Sequence, residues 1–137
     1  MIIKYKIYTD RNLLVDVLSG NIGMPELEKV YLHETKNKDF IYVKKVISNI
    51  IDSNLILSLE NVQDFLTLMI SPNPDDIFRW AILTAKPDQT AFSLLLKENE
   101  YFDDVIGVFS TLEACNRFLN ISFEEKEFGD EDYIILD

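Results

Sequence analysis

Residues 2–8 alternate between apolar and polar side chains, the period-two signature of a strand with one buried face. The turn cluster Thr9-Asp10-Arg11-Asn12 closes that stretch, and a second extended run over residues 13–18 follows until Ser19-Gly20 breaks it. Two strands joined so briefly pair as an antiparallel hairpin. A first helix is expected from Met24-Pro25, because proline suits a first turn and Glu26 and Glu28 suit the positive end of the helix dipole. Its apolar face is Met24, Leu27, Val30 and Tyr31, and it frays in Lys36-Asn37-Lys38-Asp39. The β-branched run over residues 43–51 can be read as helix or strand; a strand over about 45–52, closed by a turn at Asp52-Ser53-Asn54, is the reading adopted.

Ser58 is placed to cap a second helix, whose Val62, Phe65, Leu66, Met69 and Ile70 form the clearest amphipathic stripe in the chain. Ser71-Pro72-Asn73-Pro74 ends it. Residues 78–83 read as a buried strand. Beyond it, residues 84–88 turn into a third helix carrying Ala91, Phe92, Leu95 and Leu96. Residues 105–109 form a further strand, and Ser110-Thr111-Leu112-Glu113 matches a capping box for a fourth helix with Leu112, Cys115, Phe118 and Leu119 inward. The order ββαβαβαβα implies an α/β fold: a mostly parallel central sheet with an opening antiparallel hairpin and helices packed on it. This domain is expected over residues 1–121. An acidic tail over 122–137 follows, where Tyr133-Ile134-Ile135-Leu136 could add a strand at a sheet edge of this chain or of a partner.

This arrangement resembles the STAS fold of anti-anti-sigma factors, and more closely the stand-alone bacterial SpoIIAA-like proteins. The likeness is carried by Tyr5-Lys6-Ile7-Tyr8 through Leu13-Leu14-Val15-Asp16-Val17-Leu18-Ser19-Gly20. It continues in Arg79-Trp80-Ala81-Ile82-Leu83-Thr84, then Pro87 and Gln89-Thr90-Ala91, and then Val108-Phe109-Ser110-Thr111-Leu112-Glu113-Ala114. The last stretch is similar to the group's vFxxxxeAxxWL ending, with Phe118-Leu119 in place of Trp-Leu. The resemblance spans about residues 2–120 and implies a module that acts by binding partner proteins. Classical members are switched by phosphorylation of a serine in an Asp-Ser-(Ser/Thr)-Gly loop; here the matching Asp52-Ser53-Asn54-Leu55 keeps Asp-Ser and lacks the glycine. The resemblance brings no catalytic residues with it.

Charge changes this picture in one place. The net charge is −11, and the stretch from Ser122 to Asp137 holds seven acids against Lys126 alone, so −6 of the total lies there. Scattered Lys and Arg do not make a polyphosphate-binding surface, which argues against nucleic acid, and the negative charge argues against an anionic membrane surface. With no signal-peptide layout, no run long enough to span a bilayer and a single cysteine, a cytoplasmic location is expected.

Candidate chemistry is sparse. His33 is the sole histidine and sits where a cation favours a helix C-terminus; Cys115 follows a core stripe; no metal-ligand cluster or glycine-rich phosphate cradle is present, so no metal or cofactor is expected. Open α/β sheets bind ligands beyond the carboxyl ends of their strands. Three loops answer that description: Asp52, Ser53 and Asn54; Thr84, Lys86 and Asp88; and Ser110 and Thr111, either as a polar interaction edge or simply as caps and turns. Phe92, Leu94, Leu95 and Leu96 exceed one helical face, which fits a homo-oligomer surface or a helix sunk between sheet and neighbour. The leading expectation is a non-enzymatic regulatory or protein-interaction module. The alternatives are a carrier of a small apolar ligand, lipid or metabolite, in a pocket between helices and sheet, and a small enzyme using Asp52, Lys86 or His33.

Overall fold

The computed structural model describes residues 1–70, 77 and 79–136. Strands β1 (Ile2–Tyr8) and β2 (Leu13–Gly23) pair antiparallel, with Ile3 opposite Leu18 and Tyr5 opposite Asp16. Asn12 closes the link between them at φ 52, a left-handed conformation that asparagine tolerates. The chain continues through α1 (Met24–Lys36), β3 (Lys45–Asn49), β4 (Ser53–Ile56), α2 (Leu59–Ile70), β5 (Arg79–Leu83), α3 (Pro87–Lys97), β6 (Ile106–Phe109), α4 (Leu112–Leu119) and β7 (Ile134–Leu136). The sheet order is β6-β5-β3-β2-β1-β7, and β4 pairs with the far end of β2. The β2–β3, β2–β4, β3–β5 and β5–β6 pairs are parallel, so the sheet is mostly parallel behind an antiparallel hairpin.

Several sequence boundaries shift for physical reasons. Ser19-Gly20 does not end β2: Gly20 adopts φ 85 and, from that residue on, β2 pairs with β4. A Cβ there would stand 2.8 Å from Met1 Cα, so the close approach also requires glycine. The strand expected over 45–52 divides at the 51–52 turn, and Ser53-Asn54 opens β4 rather than forming a loop. Ser58 does cap α2, its Oγ accepting from the Asn61 amide at 3.1 Å while Asn61 Oδ1 accepts from Ser58 N. The cap of α4 is Thr111, one residue past the expected Ser110; its Oγ1 accepts from Ala114 N at 3.1 Å. The turn expected at Ser71-Pro72-Asn73-Pro74 and the Phe78 start of the strand lie outside the described residues.

One sheet face carries α1, α2 and α3, packed through Leu27, Val30, Phe65, Leu66, Met69 and Leu96. The other carries α4 and the C-terminal segment, with Cys115, Leu119, Phe123 and Tyr133 over Val15, Ile47 and Ala81. That segment is therefore not a solvated tail. Phe123 is buried and exchanges two hydrogen bonds with Asn116, at 2.9 and 2.8 Å, and β7 pairs antiparallel with β1. Its acids meet the basic residues that β1 and the first turn expose on this face. Arg11 pairs with Glu127 at 3.0 Å, Lys6 with Asp130 at 3.8 Å, and Lys4 Nζ donates to Phe128 O.

Candidate functional site

The strand-end loops do converge, with inward roles. Lys86 Nζ donates to Ser53 O and Asn54 Oδ1 at 3.2 and 3.1 Å, and Thr84 N donates to Phe109 O at 2.8 Å. Ser53 is fully buried, its hydroxyl donating to Ile50 O, and Thr84 is buried with its hydroxyl on Thr90. The organiser of this edge is Gln89, which the sequence reading passed over. Its Oε1 accepts from Ala85 N and Lys86 N, and its Nε2 donates to Ile51 O and Ser53 O at 2.9 Å each. Asp52, Asn54, Lys86, Asp88, Ser110 and Thr111 remain exposed, and no ion pair joins Lys86 to Asp88 among the described residues.

The apolar run of α3 is likewise turned inward. Phe92 is 9 % exposed and Leu96 0 %, both within the main core, with Leu95 packed against it; only Leu94, at 45 %, faces out. Phe92, Leu95 and Leu96 stand at i, i+3 and i+4 and share the inward face, which leaves Leu94 as the exposed one of the four. His33 sits near the C-terminus of α1, its Nδ1 2.8 Å from the Tyr5 hydroxyl. Cys115 is buried on the opposite sheet face, where burial pushes its thiol up to about 11. Asp52, Lys86, His33 and Cys115 therefore form no common centre.

A different site lies between α1, α2 and the sheet: a cavity of about 120 Å³. Its floor is the inward phase of the strands, Leu14-Asp16-Leu18, Val46-Ser48 and Trp80-Ile82; its roof is Leu27, Val30 and Glu34 from α1 with Phe65 and Met69 from α2. It extends past the amino ends of β5 and β6 to Ile77 and Val105, and reaches the surface beside half-exposed Tyr101. Two edge-to-face aromatic pairs stiffen the wall: Tyr31 with Phe65 at 6.2 Å and Trp80 with Phe102 at 6.3 Å.

Two carboxyl groups stand in this apolar space. Asp16 and Glu34 are buried, 6 % and 8 % exposed, and Asp16 Oδ1 and Glu34 Oε2 have no hydrogen-bond partner among the described residues. Burial raises both groups above their ordinary values; the negative charge of Asp16 and a hydrogen bond between the two carboxyls raise Glu34 further, and the hydrogen bonds of Asp16 with Glu34 and Ser48 partly offset the effect on Asp16. Ser48 Oγ accepts from Trp80 Nε1 at 2.9 Å, which leaves its own proton free to face Asp16. Tyr5, opposite Asp16 in the hairpin, is fully buried and raised by burial and by the Glu34 charge. The lining contains no Lys, Arg or His among the described residues.

This pair was missed, although a signal exists. Asp16 is the one charged residue in Leu13-Leu14-Val15-Asp16-Val17-Leu18 and shares the phase of Leu14 and Leu18. Glu34 follows Leu27 and Val30 at i+7 and i+4, on the face that must be buried.

The architecture is shared with a solved structure of an uncharacterised protein from the DUF3478 family with a SpoIIAA-like fold, from Shewanella loihica PV-4. The TM-score is 0.56, over 85% of this chain and 91% of that one, at 17% sequence identity. The fold is SpoIIAA-like. Within that scaffold β4 is an addition to the expected strand order, β7 is the edge strand that the C-terminal run offered, and the cavity lies beneath the helices instead of at the strand-end loops. The sequence matches no protein-family model and no curated protein. Among the described residues no helix is long and apolar enough to cross a membrane, and no group of three metal-ligating side chains is found.

Proposed function

We propose that this SpoIIAA-like module is a binding protein, not an enzyme, and that it takes a small and largely apolar molecule into the cavity under α1 and α2. The observation that carries the reading is a preformed cavity with two buried carboxyl oxygen atoms that have no partner among the described residues. Buried polar groups are ordinarily paired, and leaving one unpaired costs about 1–3 kcal/mol. A ligand that fills the cavity and meets these atoms removes that cost. Volume sets the size class: an engineered cavity of about 150 Å³ accepts benzene. At about 120 Å³ this one suits a compact body of ring size, which favours a small metabolite over a lipid.

Partner-protein binding through the strand-end loops has weaker support, because Ser53, Thr84, Phe92 and Leu96 are consumed by the module's own packing. A binding role over catalysis is supported by the separation of Asp52, Lys86 and His33 from the cavity lining. The test is a toluene titration followed on methyl resonances. Val30, Met69 and Ile82 methyls should shift together and Val30→Phe, shown folded by its amide spectrum, should abolish the response. Saturable shifts confined to other surfaces would overturn the assignment.

A further inference from the structure

We propose that the cavity selects a small organic cation, a protonated amine whose apolar body lies against the aromatic wall and whose N–H groups meet Asp16 Oδ1 and Glu34 Oε2. This rests on the cavity being a ligand site, as argued above, and adds the chemical class of its occupant. Two carboxyl groups share one apolar space, and among the described residues the lining supplies no countercharge to them. Lys4, Lys6 and Arg11 are spent on the opposite sheet face, over Tyr133, Tyr8 and Phe123 and against the acids of the C-terminal segment. His33 is held by Tyr5 and does not belong to the lining. A buried carboxylate without a cation is costly, and one that gains a well-placed cation and hydrogen bonds is not.

The geometry also separates organic from inorganic cations. Calcium takes six to eight oxygen ligands and magnesium demands a near-octahedral set. Among the described residues this site offers two carboxyl groups and the hydroxyls of Ser48, Thr35, Tyr31 and Tyr101, too few charged oxygens for either ion, and the rest of the wall is aliphatic or aromatic. Such a wall desolvates a hydrocarbon body and offers ring faces to a positive charge, worth about 0.5–2 kcal/mol when the cation is dehydrated. Both unsatisfied atoms accept hydrogen bonds in the ionised state, which matches an ammonium donor.

Isothermal titration at pH 8 with benzylamine, toluene and benzoate separates the possibilities, since the three share one ring and differ in charge. Benzylamine is expected to bind about ten- to a hundredfold tighter than toluene, the ratio that charge-assisted hydrogen bonding supplies, and benzoate not at all. Asp16→Asn and Glu34→Gln should each reduce that ratio, and the double variant should erase it while holding toluene affinity within about threefold. Should the double variant fail to fold, the two single variants carry the test. Toluene binding as tightly as benzylamine, or variants that keep the preference, would overturn the cation assignment and leave the apolar site standing. Absence of binding by benzylamine and toluene alike would overturn both.

Discussion

Asp16 and Glu34 are carried into the core by two elements that are otherwise apolar on their inward faces, and they face Tyr5 of β1 and Ser48 of β3 there. Both carboxyls titrate above their ordinary 3.8 and 4.5. Above about pH 4 the unfolded chain has lost these protons while the folded chain still holds them. The folded state then binds more protons, so stability falls as pH rises, until both buried groups have ionised. Glu34→Gln should flatten that decline, adding about 1–3 kcal/mol at pH 8 and little at pH 4 in ligand-free protein. Urea titrations at the two pH values measure it; a variant less stable than the parent at pH 8 would contradict the burial argument. At this scale the sequence is only partly legible. Residue identity places Asp16 and Glu34 on buried phases, but their meeting depends on the crossing of α1 over β2, which no local pattern encodes. Ser53 and Thr84 mislead in the opposite sense, because short polar side chains in turns look exposed until a buried partner such as Gln89 is found.

Elements with strong local signals emerge where expected. The stripe of α2, the proline start of α1 and the hairpin alternation each depend on neighbours within a few residues, and each forms. Long-range pairing decides the rest: β4, which was not expected, exists because β2 runs past Gly20, and the extra strand offered by residues 133–136 forms as β7 because β1 presents an open edge. Gln89→Ala should cost about 2–3 kcal/mol, since it strands the Ile51 carbonyl and two amides before α3 and leaves Ser53 O with Lys86 Nζ as its remaining side-chain donor. Chemical denaturation measures it, and a loss below about 0.5 kcal/mol would show that water replaces the amide. Phe123→Ala should cost about 3–4 kcal/mol, because the ring is buried between Tyr8 and Phe128. A near-neutral result would return the C-terminal segment to the solvated tail that its charge suggests.

For the molecule as a whole, charge and composition describe the surface, while the cavity is a property of packing. The −6 of the C-terminal stretch is partly met by Lys6 and Arg11 and tells nothing of the ligand. The two carboxyls that do bear on it are two of twenty-four acids. The most direct test of the account is an intermolecular NOE experiment on the wild-type chain with benzylamine. Contacts are predicted from the benzylamine ring to the methyls of Val30, Met69 and Ile82. Contacts confined to the strand-end loops or to Leu94, with those three methyls silent, would contradict it.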